Sequence, residues 1–173
     1  SWNAHDYRAE DLARFYSLAG GGPLTGEEMR LREVLVANGI IRASGSAYEP
    51  GTGAVLSISR ESSYTLRELL ITHEAFHGVF FALPAFQEAC RAAWDALDAD
   101  EQAVWLAYLD LKGYNTADPY LVVNEFQSYL FQQERAEVPD FQAVTLQRVR
   151  DAFPALDPVV RRIEANHPSS FLD

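Results

Sequence analysis

The stretch Leu66-Arg67-Glu68-Leu69-Leu70-Ile71-Thr72-His73-Glu74-Ala75-Phe76-His77-Gly78-Val79-Phe80-Phe81-Ala82-Leu83 decides how this chain is read. Its apolar residues recur at helical spacing, Thr65-Leu66-Arg67-Glu68 offers a capping box at one end, and Pro84 stops the helix at the other. A helix over 66–83 is therefore expected. Leu66, Leu69/Leu70, His73, His77 and Phe80/Phe81 fall on one stripe, the side that faces a core, where two unsatisfied imidazoles would be costly.

Within that helix, His73-Glu74-Ala75-Phe76-His77 has the H-E-x-x-H pattern of a zinc site. Residues four apart stand one above the other on a helix, so both imidazoles can address one ion. Glu74, about 100° round from His73, can approach a water on that ion. With four histidines in the chain, residue frequencies predict on the order of 0.01 such matches by chance, so accident is the poorer explanation. The expected cofactor is zinc, with His73 and His77 as ligands and Glu74 as general base.

A catalytic zinc takes a third protein ligand and keeps one open position. The extended H-E-x-x-H-x-x-G-x-x-H form fails, because Phe80 and Leu83 stand where its Gly and third His would be. A downstream carboxylate remains, and Glu125 is the best placed. It lies in the apolar helix Tyr120-Leu121-Val122-Val123-Asn124-Glu125-Phe126-Gln127-Ser128-Tyr129-Leu130-Phe131, where a buried carboxylate needs a partner. A salt bridge or a cap would also satisfy it. Glu88 follows His77 closely, and Asp95, Asp98, Asp100, Glu101 and Asp110 sit on helices or caps where solvated charge is ordinary.

On these residues the chain resembles the gluzincin type of zinc metallopeptidase, which pairs H-E-x-x-H with a Glu on a later helix. Asn124-Glu125-Phe126-Gln127-Ser128 is similar to the Asn-Glu-x-x-Ser signature of thermolysin-like members, although Tyr129 stands where those members carry an Asp that orients the first histidine. The resemblance implies a zincin-like metallopeptidase domain and a peptide or protein substrate. It also implies a strand before the active-site helix whose edge binds extended peptide, a place that Ala54 to Arg60 would fill. Tyr129 is one candidate for stabilising the oxyanion, with Tyr120 and His167 as others; packing or hydrogen bonding to a ligand is an equal reading of Tyr129. The alternatives to a peptidase are a zinc-binding scaffold without activity and a metal hydrolase acting on a non-peptide bond.

Around this centre the chain reads as one soluble domain over residues 1–173, mostly helical α+β with a small antiparallel sheet. Its 48% hydrophobic and 23% charged residues exclude disorder. The net charge of −11 disfavours nucleic acid as a partner, and no run reaches the roughly 18 apolar residues of a membrane span. Cys90, the single cysteine, can neither close a disulfide within the chain nor build a thiolate site. Ser1-Trp2-Asn3-Ala4-His5 carries no initiator Met and no basic-then-apolar leader, as a trimmed or processed N-terminus would.

Helices are expected over Asp6–Ala19, from the Thr25/Glu28 capping box to Gly39, from Pro84 to about Leu97, and from the Asp98/Glu101 box to Gly113. Three more are expected from Asp118-Pro119 through Gln133, over Asp140–Phe153, and from Asp157-Pro158 to Asn166. Strands are expected at Ile40–Ala43 and Ala54–Arg60, separated by turns at Ser44-Gly45-Ser46 and Glu49-Pro50-Gly51-Thr52-Gly53.

Overall fold

A computed structural model describes residues 4–19, 22–133 and 149–166. The chain is a mostly helical α+β fold in the order β1 (Ala4–Arg8), α1 (Ala9–Leu18), α2 (Gly26–Ala37), β2 (Ile41–Ser44), β3 (Ala47–Pro50), β4 (Ala54–Ile58), α3 (Tyr64–Ala82), α4 (Pro84–Asp95), α5 (Ala99–Leu111), α6 (Pro119–Gln133), a 3₁₀ turn (Pro154–Leu156) and α7 (Asp157–Asn166). Residues 149–152 are also helical; the rest of the helix expected from Asp140 lies outside the described residues, as does His167.

The helix ends follow the caps written in the sequence. Thr25 Oγ1 accepts from the Glu28 N–H while Glu28 Oε2 accepts from the Thr25 N–H, at 3.2 and 2.7 Å. Asp98 and Glu101 make the same reciprocal pair at the start of α5. Asp118 Oδ1 accepts from the Tyr120 and Leu121 N–H groups ahead of Pro119, opening α6. At α3 the expected cap is corrected: Ser63, not Thr65, accepts from the Leu66 N–H, and the helix begins at Tyr64. Glu68, the acidic half of the expected box, is engaged by the Tyr64 phenol instead.

The sheet also differs from expectation. Ile41–Ser44 and Ala54–Ile58 do not pair with each other; each takes a partner read as something else. β4 pairs antiparallel with β1, with Asp6 opposite Leu56, so the helix expected from Asp6 starts three residues later, at Ala9. Ala4–Arg8 alternates half-buried with exposed residues, the period of a strand. β2 pairs with β3 through a two-residue hairpin at Gly45-Ser46, where Gly45 takes φ +62° at the first turn position. Glu49 and Pro50, which fall in the turn expected over Glu49–Gly53, hid that strand.

Three apolar clusters hold these elements. Leu12, Ala13, Tyr16, Leu35 and Ile41 join α1 to α2 and the β2–β3 hairpin. Val104, Ala107, Tyr108 and Leu109 of α5 pack with Val122 and Tyr129 of α6 and with Val149 and Val160. Between them, Phe80, Cys90 and Val123 join α3, α4 and α6. A 109° bend at Leu83 turns α4 away from α3, and among the described residues no single helix is long and apolar enough to cross a membrane. Cys90 is a buried packing residue.

Close approach fixes one glycine. The Gly51 N–H donates to the Ile40 carbonyl at 2.8 Å, and a Cβ at Gly51 would overlap the Gly39 carbonyl. Gly26, at the first position of α2, has nothing within 4 Å of its virtual Cβ. Gly51→Ala should lower stability by about 2 kcal/mol or more, whereas Gly26→Ala should raise it by up to about 1 kcal/mol. Urea midpoints at constant slope check both; equal effects would contradict the packing described.

Candidate metal centre

Helix α6 is buried on every side: residues 122–129 are all inaccessible, although Asn124, Glu125, Gln127 and Ser128 are polar. Such groups need partners: Gln127 finds its own within α6, on the Asn124 carbonyl and Ser128 Oγ, whereas Ser128 and Glu125 turn to α3. Glu125, Ser128, Tyr129 and Gln132 recur at i, i+3, i+4 and i+7, one face of the helix, opposite the face of α3 that carries His73 and His77.

The three expected ligands converge. His73 Nε2 and His77 Nε2 stand 3.0 Å apart, and the two Glu125 oxygens lie 3.5 Å from the first and 3.6 Å from the second. Four-coordinate nitrogen and oxygen ligands at bond lengths of about 2.0–2.1 Å are separated by about 3.3–3.4 Å, so this triangle fits one ion. The buried His73, His77 and Glu125 group can hold a metal.

The outer nitrogens are held as a ligand set needs. His73 Nδ1 donates to Gln132 Oε1 at 2.9 Å, an atom that can only accept, which leaves the Nε2 lone pair turned to the centre. His77 Nδ1 lies 3.0 Å from Ser128 Oγ, which also accepts from Gln127 Nε2 at 2.7 Å. Burial pushes the His77 pKa down against the pull of the Glu125 carboxylate, favouring the neutral imidazole that binds metal. Glu125 Oε2 is buried with no hydrogen-bond partner, as a carboxylate oxygen awaiting a cation would be.

Glu74 stands beside this triangle. It is 6% exposed, and its Oε2 has no hydrogen-bond partner. Burial pushes its pKa up to about 7, His73 opposes the shift, and Asp6 and Glu125 add to it. A cation in the triangle would act in the opposite direction.

Tyr129 packs its ring on His73, with centroids 4.5 Å apart, and its hydroxyl meets that of Tyr114 at 3.2 Å. Burial raises its pKa to about 12. Tyr120 lies elsewhere, against Phe80 and under the Arg8 guanidinium. The other carboxylates do not converge here. Glu88, Asp95 and Asp110 are exposed, Asp98 and Glu101 cap α5, and Asp98 and Asp100 pair with Arg162.

Sequence reading missed three participants. Gln132 takes the orienting role on His73, and its position seven residues after Glu125 was a usable signal. Tyr114 follows α5 and reaches Glu125 and Tyr129; burial, then those two groups, hold its phenol protonated. Asp6, on β1, approaches Glu74 and His77; no local pattern announced it.

Compared with known proteins, the chain matches no family model, no curated protein and no solved structure.

If the Nδ1 contacts fix the ligand tautomers, Ser128→Ala and Gln132→Leu should each weaken metal affinity about 10- to 100-fold. Titration against a competing chelator reads this directly, with circular dichroism as the check on fold. Unchanged affinity in both variants would show that the contacts are packing only.

Proposed function

We propose that this chain is a zinc-dependent hydrolase of the gluzincin metallopeptidase type, with His73, His77 and Glu125 as ligands and Glu74 as general base. The observation that carries the proposal is Glu74: a buried carboxylate with a free oxygen, next to the ligand triangle and outside it. A purely structural zinc site needs four ligands and no base. Two imidazoles and a carboxylate suit zinc, and three protein ligands leave a position for water or substrate.

When bound, zinc supplies a Lewis acid and lowers the pKa of a coordinated water toward neutrality. The residues of the chain do the rest. Glu74 takes the proton of the attacking water and passes it to the leaving amine, so one carboxylate serves both halves of the reaction. Gln132 and Ser128 hold the imidazoles in register, and burial of the site keeps the base from competing with bulk solvent. Tyr129, on the flank of His73 and tied to Tyr114, positions the first ligand. The strand β4, which precedes α3, meets it through Leu56 and Gly78, and an extended peptide would add along the edge of β4 that β1 does not occupy.

Glu74→Gln keeps the shape of the side chain and removes its basicity. Zinc content should stay at one per chain while cleavage of a mixed peptide library falls about 10²- to 10⁴-fold. Wild-type cleavage should stop on chelation and return with added zinc. A Glu74→Gln protein as active as wild type would overturn the mechanism. A zinc-loaded wild type that cleaves no peptide would turn the reading toward a scaffold or a non-peptide hydrolase.

A further inference from the structure

Asp6 adds a third carboxylate to the site. One of its oxygens, one oxygen of Glu74 and one ring nitrogen of His77 lie within 4.8 Å of one another. Strand pairing puts it there. Asp6 is directly opposite Leu56 in the β1–β4 ladder, so both side chains stand on one face, and Leu56 meets α3 at Gly78, next to His77 and one turn beyond Glu74. β1 runs without a break into α1, whose Ala9, Leu12, Ala13 and Tyr16 are core residues. Asp6 is therefore a fixed part of the fold and not a detachable arm.

A second metal on this carboxylate pair would lack His77 as a ligand. Its Nε2 faces His73 and Glu125, its Nδ1 is engaged by Ser128, and imidazole has no third donor position. The charge balance points to another ligand. Asp6, Glu74 and Glu125 bring three carboxylates together, one more than a dication in the triangle offsets when all three are ionised. Among the described residues the Asp6 carboxylate has no hydrogen bond or ion pair, and Arg8, two residues on and on the same face of the strand, is taken by Asp11 at 2.8 Å. Glu74, 6% exposed, keeps one oxygen unpartnered.

Resting on the zinc-hydrolase reading above, we propose that Asp6 anchors the protonated α-amine of the substrate, so that the site takes peptides with a free N-terminus. In such a peptide one carbon atom separates the ammonium from the carbonyl to be attacked. A carboxylate within 4.8 Å of the base Glu74 stands at that range, whereas a lysine side-chain ammonium would be carried well past it. Asp6 is then a specificity determinant, and Glu74 remains the base.

The test uses the zinc-loaded full chain and two probes, leucine hydroxamate and N-acetyl-leucine hydroxamate, titrated by calorimetry. Wild type should bind the free amine about 10- to 100-fold more tightly, the range of a hydrogen bond to a charged group. Asp6→Asn should abolish that preference while zinc stays at one per chain. Equal binding of the two probes by wild type, or a preference that survives Asp6→Asn, overturns the inference. Turnover of leucyl and N-acetyl-leucyl peptides separates the two claims. Acetylated peptides cleaved as fast as free ones overturn the role of Asp6 and leave the hydrolase standing. An amine preference in binding with neither peptide cleaved supports the role of Asp6 and overturns the peptidase.

Discussion

The structure depends on how α6 satisfies polar side chains that have no access to water. Eight consecutive residues of that helix are buried, and half of them are polar, a composition that would unfold an isolated core helix. Gln127 is satisfied within the helix, and the remaining partners lie on α3: Ser128 reaches His77, Gln132 reaches His73, and Glu125 faces both imidazoles. Packing and chemistry are therefore one arrangement here. The apolar clusters on either side hold the two helices at a spacing at which this polar seam can close, and its centre can hold a cation.

Much of that seam was legible in the sequence, because both helices carry local signals. His73 and His77 are four apart on an apolar helix, Glu125 interrupts a run of aliphatic and aromatic residues, and Asp118-Pro119 marks where α6 begins. Caps built from one residue and its neighbour three positions on, as at Thr25 and Asp98, were equally readable. Ser63 shows the limit of that method, since two cap-forming residues stand two apart and the structure uses the earlier.

The strands were hidden for a different reason. Asp6-Tyr7-Arg8 fits the helical register of α1 as well as a strand, and its pairing with Val55 and Leu56 joins residues about fifty positions apart, which no local window contains. Ala47–Pro50 has one aromatic and a proline, and becomes a strand because the Gly45 turn folds it onto β2. Asp6 was missed with its strand: a single acidic residue near a chain end acquires meaning only when pairing brings it to Glu74. The gap in the sequence reading thus fell on Asp6, whereas His73, His77 and Glu125, which carry local signals, were expected together and do converge.

The central claim is that His73, His77 and Glu125 hold one zinc. X-ray absorption at the zinc edge, on protein loaded with one equivalent, tests it most directly. The account predicts two imidazoles and oxygen ligands at about 2.0–2.1 Å, with no sulfur. A first shell of water alone, or a sulfur at about 2.3 Å from Cys90, would contradict it.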